Sequence, residues 1–292
     1  MAFLWISILT STLLVVILKL FPRFQINTFL AIVTNYIVCS SMGFYFVPAN
    51  VEWYHPTQGL NWLYVAIGMG FSFIALFNLM GYISQELGLT AVSVSNKLSL
   101  IIPVGLAFFI YGDSVTWIKL TGLLLAIPAV LLTTWQDGEG GHKWTFKNVL
   151  LFTLLFIGSG LNDTFVKFAQ EKLMTESQFP LFTAFVFGMA FVIGVLIALF
   201  LAIRGKLKFT WQSVVAGIAL GIPNYFSIYA LLKALAVPNW ESSTLFTINN
   251  VGILLASALM GVVIFKERLS IKNIIGILVA CISIILLADK LI

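Results

Sequence analysis

Apolar residues fill this chain in unbroken stretches of about 20 residues, the length a helix needs to cross a bilayer. Short polar clusters separate them. The pattern predicts spans over 3–21, 29–47, 62–85, 89–111 and 117–135, then over 149–170, 181–203, 214–235, 242–265 and 271–287. Between the two sets, residues 136–148 form a polar linker with Asp137, Glu139, His142, Lys143 and Lys147. Strands of an outer-membrane barrel alternate apolar and polar residues; these runs do not. Trp5, Trp53, Trp62, Trp117, Trp135, Trp144, Trp211 and Trp240 are candidate interfacial rings at span ends.

The chain also repeats itself. A slide of 154 residues lays Thr90 on Thr244, Ser93 on Thr247, Asn96 on Asn250, Asp113 on Glu267 and Gly122 on Gly276. A slide of 148 lays Ser11 on Ser159 and Lys19 on Lys167. Polar marks that coincide in this way are better evidence than matched apolar residues. Five spans is an odd number, so the second copy enters the membrane inverted, and inverted halves that exchange shapes give alternating access. The expected architecture is an all-α polytopic membrane protein. Ten transmembrane helices form two inverted five-helix repeats, 1–135 and 149–292, around a central cavity.

Composition agrees: 60% of residues are hydrophobic and 9% charged, with mean hydropathy +1.05. A soluble chain carries about a quarter charged residues. The net charge of +5 comes from sixteen Lys+Arg against eleven Asp+Glu. It has no concentrated basic face and no recognisable nucleic-acid module, so no nucleic-acid partner is expected. Met1–Trp5 lacks the basic start of a cleaved signal, and the first apolar run reads as a retained span. Cys39 and Cys281 sit within apolar runs as small fillers, and no metal, heme or phosphate-loop spacing is present. His55 and His142 lie in connectors. Without an acid–base set, enzymatic chemistry is not expected, nor is a cofactor.

Orientation divides the charges. Lys19, Arg23, Lys143, Lys147, Arg204, Lys206, Lys208, Lys266, Arg268 and Lys272 fall on one side; Lys119, Lys167, Lys172, Lys233 and Lys290 fall on the other. The positive-inside rule then puts both termini outside.

Lys97 is the most telling residue, because a cation within an apolar span needs a partner, a cavity or the interface. It lies about 10 Å inside a helix that starts near Thr90. Ser93, Asn96 and Lys97 share a face, and Thr247 and Asn250 are their repeat counterparts. Two readings stand: a polar lining in which Lys97 receives an anionic group, or interhelical hydrogen-bond glue. In the sixth span Asp163 and Lys167 are four apart. They form either an ion pair, structural or acting as a gate latch, or, if Asp163 faces Lys97, a proton-coupling site. Pro223 frees backbone carbonyls in the eighth span beside Asn224 and Tyr225. Tyr82 and Tyr229 are candidate gating residues. The glycines at 68 and 70, and at 217 and 221, allow either a bend or close packing.

Short-looped spans in two halves resemble the EamA branch of the drug/metabolite transporter superfamily. The likeness rests on Pro103…Gly112-Asp113…Gly122, on 265–269 with Gly276, on Lys19 with Pro22, and on Lys167. Many members carry an early arginine in the second span, where this chain has Asn35, and the first-half acid here is aspartate. The resemblance implies a ten-helix basket with its cavity between spans three, four, eight and nine. It also implies cytoplasmic termini, against the charge count, and exchange- or ion-driven export, or else uptake, of small metabolites such as amino acids or organic anions. The expected partners are a small-molecule substrate, the lipid bilayer and protons as the candidate coupling ion, in a monomer or weak dimer of the bacterial inner membrane. Alternatives are a translocator of lipid-linked sugar or lipid headgroups, and a non-transporting scaffold.

Overall fold

The computed structural model describes residues 2–51, 61–99, 101–110, 116–133, 145–207, 209–235 and 242–287. The fold is helical, and no strand occurs among the described residues. The helices are α1 Ala2–Leu20, α2 Thr28–Tyr45, α3 Asn61–Glu86, α4 Leu89–Leu98, α5 Ile101–Ile110 and α6 Trp117–Thr133. They continue with α7 Phe146–Lys172, α8 Phe179–Ile203, α9 Trp211–Leu235, α10 Ser242–Phe265 and α11 Ile271–Leu287. Of these, α1, α2, α3, α7, α8, α9 and α10 contain the seven candidate spans that length and composition mark as able to cross a membrane. Their outer residues are what lipid requires: Leu196, Leu199 and Phe200 on α8, and Leu259 and Val263 on α10, are large, apolar and exposed. The linker expected at 136–148 lies outside the described residues as far as Trp144.

The predicted span 89–111 is two short helices, and Pro103 explains the break. Proline has no N–H to give the carbonyl four residues back, and its ring crowds that carbonyl. The carbonyl is that of Ser99, which caps α4 and accepts instead from Ile102 N at 2.9 Å. Proline alone does not break a helix: α9 runs uninterrupted through Pro223 and α6 through Pro128.

Close packing follows the small residues. A Cβ at Gly217 would lie 2.5 Å from Ala31 O, and one at Gly221 would lie 2.7 Å from Val38 Cβ, so α9 closes on α2 where no side chain intervenes. Gly70 does the same for α3 against Met189 on α8. Gly68 has nothing within 4 Å. The glycines at 70, 217 and 221 therefore serve tight packing. Trp62 is buried between α3 and α8, with its ring 5.5 Å from that of Phe185, and is no interfacial anchor. Trp5, Trp117 and Trp211 are exposed as expected. Trp53, Trp135, Trp144 and Trp240 lie outside the described residues, as do His55 and His142.

Around the bundle, α2 packs on α9 and α8, α3 on α8 and α7, and α1 on α9 and α10. α7 also meets α4 and α5, α10 meets α4, and α6 pairs with α11. The central core joins Leu18, Ile32, Tyr36 and Phe187, which lie on α1, α2 and α8.

Candidate functional site

The site is easiest to see from α7. Leu150, Thr153, Leu154, Ile157, Leu161 and Phe165 are exposed and form one outer stripe. At about 100° per residue, Asp163 falls on the far side of the helix from that stripe. Its near neighbours on that side are Ser159, tied to α4, and Gly160, where a Cβ would lie 2.6 Å from Ile102 of α5. Asp163 is nevertheless exposed. A residue on the inward side that keeps exposed surface is not fully packed over by α4 and α5, which lie beside it.

Lys97, in the last turn of α4, is half-buried and sits within electrostatic reach of Asp163. The two are not in ion-pair contact, and neither has a hydrogen-bond partner among the described residues. Ser93, one turn earlier on the same face, is buried with its hydroxyl unpartnered. On α10, which packs against α4, Asn250 is buried, and Asn249 is buried with Oδ1 unpartnered on the side of Gly252 and Ile253, toward α1. Leaving such polar atoms unpaired costs about 1–3 kcal/mol each, so these residues hold capacity for water or a ligand.

Other expected lining residues serve the frame. Asn96 Nδ2 donates to Ser159 Oγ at 2.9 Å and joins α4 to α7. Ser72 on α3 donates to Asn162 Oδ1 on α7. Asn224 Nδ2 donates to Asn35 Oδ1 at 3.0 Å and joins α9 to α2. Tyr225 is buried with a free hydroxyl, and its ring stacks on Phe46 at 5.5 Å and on Tyr229 at 5.7 Å. Tyr82, expected at a gate, lies on an exposed stripe of α3 with Tyr64, Phe71 and Ala75, and receives a hydrogen bond from Lys147 Nζ at 2.7 Å. The side chains of Lys167 and Thr247 lie outside the described set, so the expected Asp163–Lys167 pair does too.

The structure thus sets Lys97 and Ser93 of α4 near Asp163 of α7 and on a helix that packs against α10, which carries Asn250. Asn249 falls on the face of α10 that meets Leu4 and Ile8 of α1, and Asn224, Tyr225 and Tyr229 lie apart on the α2–α9 side. No group of three or more metal-binding side chains occurs among the described residues.

No protein-family model matches the chain. It is 26% identical over 296 residues to an uncharacterized protein of Haemophilus influenzae, covering 98% of each. A solved crystal structure shares the fold, with a TM-score of 0.60 at 14% identity over 98% of this chain and 99% of that one.

Proposed function

We propose that this chain is a secondary transporter, of the EamA type, that moves a small polar metabolite across the bacterial inner membrane by alternating access. The observation that carries the reading is that Asp163 keeps exposed surface on the inward side of α7, within electrostatic reach of Lys97 at the end of α4. A charge is costly in a membrane helix, and pairs of this kind mark substrate or ion paths. Lys97 and Ser93 receive the anionic group of an amino acid or organic anion. Asn250 binds its polar remainder, and Asp163 exchanges a proton as the site turns over.

Two inverted halves are supported by how the helices choose neighbours. Exchanging α1 with α7, α2 with α8, α3 with α9 and α4–α5 with α10 turns the α2–α9 contact into α8–α3. It also turns α1–α9 into α7–α3, and α1–α10 into α7 against α4 and α5. This reading counts α4–α5, α6 and α11 as membrane spans and so restores ten. A non-transporting scaffold would be packed shut around its polar residues. Asn96 and Asn224 fit that description; Asp163 does not.

The test is binding by purified full-length protein, read as thermal shift against amino acids, organic anions and sugar phosphates. Lys97→Met is expected to weaken the best anionic ligand about tenfold, equivalent to about 1.4 kcal/mol, with the fold intact. Undiminished binding would remove Lys97 from the site.

A further inference from the structure

Lys19 and Glu267 stand out in the sequence, yet the substrate site uses neither. Lys19 is in the last turn of α1, and Glu267 lies two residues past the end of α10. They form the one salt bridge among the described residues, across 248 positions of sequence. The Lys19 amine also sits 5.1 Å from the centre of the Phe265 ring.

Glu267 has a second task. α4 opens on Gly88 and has no side-chain cap of its own. Glu267 Oε1 accepts from Leu89 N at 2.8 Å and so caps α4 from the other half of the chain. Carboxylates suit that position, because the first amides of a helix lack partners and the helix dipole is positive there. Gly88 makes the approach possible. Its φ is +103°, and a Cβ on it would stand 3.1 Å from Glu267 Oε1. The carboxylate is not on a loose tether: Lys266 takes a left-handed conformation (φ 54°), and Glu267 N donates back to Gly261 O at 3.0 Å. This bond, one residue wider than that of a Schellman turn, closes the end of α10.

The same end of the bundle is stitched further. Gln85 Nε2, at the end of α3, donates to Leu18 O on α1 at 3.0 Å and to Thr28 Oγ1 on α2 at 2.9 Å. The ends of α1, α2, α3 and α4 thus meet α10 here, and Glu267 is the link from α10. One turn deeper along α4 lies Ser93, and one turn beyond that Lys97.

We propose that Glu267 is the catch of a gate. Held by Lys19 and by the Leu89 amide, it shuts this end of the bundle. Released, it lets α10 part from α1 and α4 and opens the Ser93–Lys97 face to solution. A catch must let go at modest cost. The Lys19 and Glu267 side chains are 16% and 15% exposed, so water reaches both and can solvate them when they separate. The purpose of such a gate rests on the transport reading, but its opening can be measured without transport.

The experiment labels a cysteine with a membrane-impermeant maleimide in full-length protein in vesicles. Ser93→Cys is the reporter, in a background where Cys39 and Cys281 are alanine. Glu267→Ala and Lys19→Met are each expected to speed labelling by about tenfold, the shift expected when roughly 1.4 kcal/mol of closure is removed from a two-state gate. The charge-swapped double variant Lys19→Glu/Glu267→Lys restores the pair but not the α4 cap, and is expected to label between native and Glu267→Ala. If Glu267→Ala fails to fold, Lys19→Met carries the test. Native labelling rates in folded Lys19→Met overturn the catch, even if Lys97→Met still loses ligand. Faster labelling in a protein that binds no metabolite upholds the gate and counts against the transport reading alone.

Discussion

Asn224 on α9 gives its amide hydrogen to Asn35 on α2 at 3.0 Å, and both side chains are buried. Asn35 Oδ1 is engaged by this amide, while its Nδ2 has no partner among the described residues. Removing one partner strands the other: Asn224→Leu is expected to destabilise the protein by about 1–3 kcal/mol. Asn35→Leu/Asn224→Leu together should recover much of that loss. Thermal unfolding in detergent reads both, and an unchanged midpoint for the single variant would show the bond to be incidental.

Two glycines predict opposite outcomes. Gly221→Ala sets a methyl 2.7 Å from Val38 Cβ and should cost about 1–3 kcal/mol by overpacking the α2–α9 seam. Gly68→Ala meets open space and should be neutral or stabilising by up to about 1 kcal/mol through helix propensity. Equal midpoints for the two variants would refute this account of the seams.

Asp163→Asn keeps size and hydrogen-bonding capacity but cannot exchange a proton. If Asp163 couples transport to protons, proteoliposomes carrying this variant should lose gradient-driven uptake and keep substrate exchange. Uptake that still follows the pH gradient would assign coupling elsewhere.

Tyr82→Phe removes only the exposed hydrogen bond from Lys147. The expected effect on stability is below about 1 kcal/mol, with transport unchanged. A large loss of flux would return Tyr82 to the gate that sequence reasoning gave it.

The helices were largely legible in the sequence because lipid imposes a length and a composition that soluble packing does not. Thus α10 and α11 run over 242–265 and 271–287 as predicted, and α8 begins two residues early, at Phe179. The break at Ser99 was missed although Pro103 was seen, because proline is tolerated at Pro128 and Pro223 in this same chain. Which polar residues are held by neighbouring helices was not legible. Asn96 and Asn224 look like Asn250 in the sequence, yet the first two spend their amides on neighbouring helices. Only three-dimensional neighbours separate them. The repeat did set Glu267 against Asp113, but nothing in a linear string could bring it to Lys19 and Leu89.

Gly88 carries a last implication. The seal around Glu267 depends on an atom that is missing, since a single methyl at residue 88 would crowd the carboxylate and strain a backbone that L-residues avoid. Substitution there would loosen the proposed catch without altering one charged group, so closure of this end of the bundle would rest on steric room as much as on charge.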